Sequence, residues 1–484
     1  DADQIVTGNG GSTTIDASNG TVGVSMLSTG TGSIRFSSNT VLGRTGGFQA
    51  QQTGAANRGI EVDGIGNITT TSGTGVLLLI TNAANSGNIS YLREGNVSGD
   101  TGIRAEITQG SGSIALVSHG DITAGNGSAI NALIADTRAT NSSILVKTTA
   151  GDVITANNGQ GIVAINRAGG AGTLDVNNAA DVRVSGGIGI ALSRSNGDGA
   201  TTLTNTGSIR SGAGGPGTLN IGLFASANTG ADGTVTINHS GADIGAASDR
   251  AQEIGIYADS RSSVNTGNVA VNIANASVFS SGDGIRALHF GTGSITVTGT
   301  GTGTVDSSAD IGINAQKIGM SAGDVTVNVT QNVRGQLIGI VGLNAGLGSV
   351  SVTSAGNVSA VTREGINAQT RNAAGSGFVL VNANGTTSGT RGVVALNAGS
   401  GSIQINANSD VTGTAGEGIQ ARLTSATGHS NDVGVNVAAG ATVAGTGDAG
   451  IFVDMGNSRG IANVTLNGRA TGTTGVSQLA FEAS

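Results

Sequence analysis

The sequence predicts an all-β fold: a right-handed parallel β-helix, or β-solenoid, with three short strands per coil and about sixteen coils. Three observations lead there. A short phrase returns roughly every 27 residues, brief apolar alternations fill the space between its copies, and the 484 residues include 86 glycines but a single proline.

The phrase is a glycine, a branched aliphatic, a variable residue, then a small or apolar one. Its clearest copies are Gly102-Ile103-Arg104-Ala105, Gly284-Ile285-Arg286-Ala287, Gly312-Ile313-Asn314-Ala315, Gly365-Ile366-Asn367-Ala368 and Gly418-Ile419-Gln420-Ala421. A fixed period of this size is the signature of a solenoid. Such a fold grows by adding rungs, so residues 1–484 are expected to form one domain, with 1–58 as less regular N-terminal coils or a cap.

Two further alternations recur in each period. One reads Gly-x-Val-x-Val, as in Gly323-Asp324-Val325-Thr326-Val327 and Gly348-Ser349-Val350-Ser351-Val352; the other reads Gly-Asp-Ile or similar, as in Gly120-Asp121-Ile122 and Gly356-Asn357-Val358. Period-2 runs bounded by Gly, Asn, Asp or Ser read as strands and turns. Three strands and three turns close one coil, and equivalent positions then stack about 4.8 Å apart on neighbouring coils. The right hand follows from the handedness of parallel crossovers. Longer periods place insertions near 135–143, 210–220, 245–253 and 422–432, which read as drifted turns.

Composition narrows the partners. Aromatics are 2% with no tryptophan, so the core is thin and made of Val, Ile, Leu and Ala. Net charge is −8 with no basic run, which argues against nucleic acid and against a membrane surface. The chain has no cysteine, hence no disulfide and no thiolate-bound metal. The longest apolar run, Gly75 to Ile80, is too short to cross a bilayer as a helix. No charged-then-apolar leader opens the chain at Asp1, so the expectation is a leader already removed or a protein that is not exported.

The Gly-Ile-x-Ala and Gly-Ser-Val-x-Val repeats, rich in Asn, Thr and Gly, resemble autotransporter (type V secretion) passenger domains of Gram-negative bacteria, over essentially the whole chain. The resemblance implies a precursor with a signal peptide and a C-terminal outer-membrane β-barrel. This chain would be the passenger, extracellular or displayed at the bacterial cell surface.

Several residues are candidates for chemistry. Asp121, Asp152 and Asp181 take the same place in three successive Gly-Asp-Ile-like turns, and stacked carboxylates suit Ca²⁺. Arg183 lies two residues beyond the last, an acid–base grouping of the kind β-helical polysaccharide lyases use; the plainer reading is that Asp suits a turn. The variable residue of the phrase should point outward, and in that row Val163 to Tyr257 is apolar. Phe224, Tyr257 and, at its edge, Arg286 form the candidate binding patch, unless an inserted loop covers it.

The turn after the phrase collects Arg138, Arg167, Arg194, Arg261, Lys317, Arg371, Arg422 and Arg459, read as a mixed solvated edge rather than a glycan stripe. Gly456-Asn457-Ser458-Arg459-Gly460 matches G-x-S-x-G, but no helix is expected after it, so a turn is the reading and no residue is assigned to catalysis. No histidine is assigned to catalysis or metal.

The expected function is contact without turnover, through adhesion to host or matrix or through cell self-association. A β-helical polysaccharide lyase or glycosidase using Ca²⁺ is the second possibility, disfavoured by scarce aromatics. A structural stalk or surface-layer component is the third.

Overall fold

The computed structural model describes residues 3–7, 14–37, 40–228, 232–425, 429–473 and 479–482. Among them there is no helix; short parallel strands stack as a β-solenoid of about 16 turns, three strands to a coil. The contacts group the chain into two compact units, Asp1–Gln252 and Glu253–Ser484.

In the first unit, Ile114–His119, Ile144–Thr148 and Leu174–Asn178 stack in one sheet, with Ile114 beside Ile144 and Ile144 beside Leu174. The short strands Ile122–Ala124, Val153–Ala156 and Asp181–Val184 form the second sheet. The repeated phrase forms the third, in Thr101–Ile107, Ile130–Ile134, Ile162–Asn166 and Gly187–Arg194. Its aliphatic position makes an inward column of Ile103, Ile130, Ile162 and Ile190, all buried.

The second unit repeats the scheme. Ile285, Ile313, Ile340 and Ile366 stack in its third sheet, and Val325, Val350, Val379 and Ile403 in its first. Along Val269–Ala274 buried and half-buried residues alternate strictly, as a strand with one dry face must. Each isoleucine or valine so buried contributes roughly 1.5–3 kcal/mol.

The glycine of the phrase has a packing cause. A Cβ on Gly312 would lie 2.6 Å from the carbonyl oxygen of Gly339 and 2.6 Å from Val333 Cγ1 of the neighbouring coil. The chain turns here from the second sheet to the third, and the corner has no room for a side chain. At Gly95 the requirement is conformational: φ is +126°, and a Cβ would meet the oxygen of Gly66 at 2.5 Å.

Corners pose a second problem, because backbone groups there fall outside the ladders and still need partners. Side chains supply them in two ways. Outside, the residue opening a strand caps the next coil: Asn96 Oδ1 accepts from Asp121 N–H (2.9 Å), Asn268 Oδ1 from Ser294 N–H (2.9 Å), Ser294 Oγ from Asp324 N–H (3.0 Å) and Asp324 Oδ1 from Ser349 N–H (2.8 Å). Inside, the last inward residue of the third strand reaches turn carbonyls. Asn344 Nδ2 donates to Gly323 O (2.9 Å), Asn397 Nδ2 to Gly377 O (2.9 Å), Asn166 Nδ2 to Ser142 O (2.8 Å), and Lys317 Nζ to the oxygens of Gly291 and Gly293.

This corrects part of the expected solvated edge. Arg194 and Lys317 are wholly buried in this inner column; Arg194 donates to Gly172 O, and burial pushes Lys317 down to about 8. Around Lys317 inward-facing carbonyls replace water, while at Arg194 only Nη2 reaches such carbonyls, those of Gly172 and Ala200, and burial lowers its pKa to about 10.

The first sheet has an inner polar ladder too. Thr148 Oγ1 donates to Asn178 Oδ1 (2.6 Å), Asn178 Nδ2 to Asn205 Oδ1 (2.6 Å), and Asn205 Nδ2 to His239 Nδ1 (3.0 Å). Burial is the main cause that lowers the His239 pKa from 6.5 to about 4, against the opposing pull of the Asn205 and Ala242 backbone and then of Asp243.

Gly312→Ala should lower unfolding free energy by about 1–3 kcal/mol by overpacking the bend, read from denaturant midpoints. For His239, the unfolded chain takes up a proton between pH 6.5 and 4 while the native state does not, so stability falls as pH drops through that window. Melting curves of His239→Asn should show a smaller loss between pH 6.5 and 4 than wild type; an identical loss excludes His239 as its source.

Candidate functional site

The variable residue of the phrase does face outward, and its positions stack as the repeat requires. In the first unit the row runs Arg104, Asn131, Val163, Ala191, Phe224; in the second it runs from Tyr257 through Arg286, Asn314, Val341, Asn367, Val394 and Gln420 to Phe452. Exposure is lower than expected. Val163, Ala191, Asn314, Val341, Asn367 and Val394 are buried or nearly so, because rungs above and below crowd the row and neighbouring side chains rise beside it. Two residues further on, a parallel row reads Leu288, Gln316, Leu343, Gln369, Leu396.

The candidate binding residues are divided between the units. Phe224 is half-buried in the first, beside Ala191. Tyr257 and Arg286 belong to the second, on adjacent rungs, and come together: the guanidinium carbon of Arg286 lies over the Tyr257 ring, 5.9 Å from its centroid. Buried Asp283 aims that arginine, its Oδ2 accepting from Arg286 Nε at 2.6 Å and from Asn314 Nδ2 at 2.9 Å. Gln316 Nε2 then donates to Asn314 Oδ1 (2.6 Å). On the other side, Arg261 Nε bonds buried Asp259 (2.6 Å) and its Nη2 reaches the Tyr257 hydroxyl (3.4 Å). Burial, followed by Asp259, raises the Tyr257 pKa, so the phenol stays neutral.

The ion pairs bordering the third strands share one polarity. The acid is the sheltered partner, the arginine is the more exposed one, and the closest contact runs through Nε: Arg104 to Glu106, Arg138 to Asp136, Arg261 to Asp259, Arg286 to Asp283, Arg391 to Glu417 and Arg422 to Asp454. In the Arg261 pair the side-chain exposures are 55% and 0%. Arg138 and the Gly110 amide hold Asp136 at about 2. Docking by Nε turns the outer edge of each guanidinium toward solvent. The sequence shows Asp259 as an acid interleaved with the arginines and Asn314 as a member of the outward row, but not Asp283 or Gln316, nor that these four hold the ring and guanidinium groups; the available signal was an acid two or three residues from each arginine.

The proposed Ca²⁺ ladder is not assembled. Ile122 pairs with Ile154 and Val153 with Asp181, so Asp152 falls one position out of the column of Asp121 and Asp181. Each carboxylate caps backbone instead. Asp121 Oδ1 accepts from Val153 N–H (2.8 Å), Asp152 Oδ2 from Gly120 N–H (2.9 Å), and Asp181 Oδ1 from Ser208 N–H (3.0 Å). Among the described residues no three acidic or histidine side chains are grouped to hold a metal. In the G-x-S-x-G segment, Ser458 Oγ lies 3.0 Å from His429 O and 2.8 Å from Asn431 O, bonded into the turn.

Compared with protein-family models, curated proteins and solved structures, the chain finds no match in any of the three.

The capping geometry predicts that millimolar Ca²⁺ leaves the melting temperature unchanged, whereas Asp181→Ala lowers it with or without the ion, because two donors on Ser208 lose their acceptor. A Ca²⁺-dependent rise in wild type that vanishes in Asp152→Ala would restore the cation site.

Proposed function

We propose that the chain is a secreted or surface-displayed β-helical passenger of the autotransporter type, working by contact and without turnover. It acts by adhesion to a host or matrix surface or by self-association with passengers on neighbouring cells. Its precursor carries an outer-membrane barrel, and it operates outside the cell.

The observation that carries the reading is the Tyr257–Arg286 assembly with the amide row beside it. A binding face gains affinity when its side chains are held in place before the partner arrives. Asp283, Asp259 and Asn314 do this here, fixing an aromatic ring and two guanidinium groups on one face of the second unit. Tyrosine and arginine are also the side chains that most often dominate contact energy.

One observation favours a hydrolytic or lyase reading. The Asp310 carboxyl is raised by burial and by Asp283 nearby, and unlike carboxyls of this kind divide acid and base roles in sugar-cleaving enzymes. Asp283 is nevertheless fully enclosed and engaged by Arg286 and Asn314, which suits a positioning role better than attack on a substrate.

The test is display of wild type and of Tyr257→Ser/Arg286→Gln on cells that otherwise do not aggregate. Wild type should cause settling of the culture or binding to matrix-coated wells, and the double variant should lose most of it while melting within a few degrees of wild type. Release of unsaturated uronides from a polyuronide with Ca²⁺, together with no adhesion, would replace contact by lyase activity.

A further inference from the structure

We propose that a depression on the outer face of the second unit, across Val341 and Leu343, is a subsite for one acidic sugar residue of a linear polysaccharide, its anionic group taken by Arg371 at one end, with Arg363 at the other end for the charge of a neighbouring sugar. The proposal rests on the reading of this face as a contact surface and names its ligand class.

The floor is unusual for an outward surface. Ile338, Val341 and Leu343 form an apolar cluster separate from the interior columns, with Ile311, Leu337 and Ala345 packed against it. One whole rung is therefore dry on its outer side. The rungs on either side carry amides, Gln316 on one and the Asn367–Gln369 pair on the other. Together they enclose about 310 Å³, at the small end of ligand sites.

Charge selects the ligand. Arg363 stands before the strand Glu364–Thr370 and Arg371 directly after it, so the two cations border opposite ends of the depression. No Asp or Glu lines it. Glu364 lies 3.5 Å from Arg363, whereas no acid in this lining stands beside Arg371. Arg371 Nε is steadied by the Gln369 side-chain oxygen at 3.3 Å, an amide rather than an acid.

An apolar floor suits the C–H face of a sugar ring, the amides suit its hydroxyls, and a guanidinium group at each end suits a carboxylate or sulfate. An acidic peptide fits less well. The strands beneath spend their backbone groups in parallel ladders with both neighbours, so no strand edge is open along this face for peptide pairing.

Calorimetric titration tests this with four probes of similar length: a heparin hexasaccharide, hexagalacturonate, a neutral isomaltohexaose and hexaglutamate. Binding of either anionic sugar, with the neutral sugar and the peptide silent, is expected; which of the two binds separates sulfate from carboxylate recognition. Arg363→Gln/Arg371→Gln should raise Kd roughly tenfold or more, and Leu343→Ala should also weaken binding. Arg35→Gln/Arg58→Gln, which removes equal charge from the first unit, should not. Melting curves confirm that each variant folds. No binding of either anionic sugar, unchanged affinity in Arg363→Gln/Arg371→Gln, or equal affinity for hexaglutamate overturns the proposal. If sugars fail while wild-type cells still adhere, the ligand class is wrong and the contact reading stands; absent adhesion removes the contact reading itself.

Discussion

The structure depends on one constraint: at the corners of the described coils, backbone groups leave the sheet ladder and still need hydrogen-bond partners, which come from the backbone of the neighbouring coil or from side chains. Parallel strands satisfy each other along their flat stretches, but three bends per coil interrupt them. The chain answers with short polar side chains that reach one coil along. Outside, Asn96, Ser294 and Asp324 accept from the next coil's amide. Inside, Asn166, Lys317, Asn344 and Asn397 donate to turn carbonyls. An abundance of Asn, Ser and Thr in a chain with few charges is what such corners require.

The same constraint decided what the sequence could disclose. The repeated phrase and the period-2 alternations translate directly into columns, since both record which side chains face inward, and the outward row from Tyr257 to Phe452 was readable residue by residue. Roles at the corners were not readable. Asp152 looks equivalent to Asp121 and Asp181 until a one-residue slip in pairing removes it from their column. Arg194 and Lys317 look like solvated charges, because the sequence does not mark that the third strand runs on to include them and turns them inward before the bend begins. The carboxylates beneath Arg261 and Arg286 were hidden for a related reason: an acid near an arginine in sequence does not show which of the two is sheltered.

The outer third-sheet face of the second unit reads best as a tiled surface. Polar rungs alternate with apolar ones, Asn314–Gln316, then Val341–Leu343, then Asn367–Gln369, then Val394–Leu396. Acids lie low and guanidinium groups high, so local charge is nearly balanced while the outermost layer is cationic. This reconciles an acidic protein with an arginine-bearing face. Long-range repulsion follows net charge, whereas short-range recognition follows whichever groups a partner meets first.

The varied inner column has a consequence for folding. Coils of nearly equal length with interchangeable Ile and Val columns invite a miscount, in which one coil docks a rung too early and buries almost the same apolar surface. His289, Lys317, Asn344, Thr370 and Asn397 occupy the same corner on consecutive coils, yet no two neighbours are alike in size, charge and reach. A coil shifted by one place would set a lysine against carbonyls spaced for an asparagine, or leave a buried ammonium without them. On these coils of the second unit the corner residues therefore distinguish each rung from the next, a mark that Ile80, Ile107 and Ile134 do not supply at the same corner of the first unit.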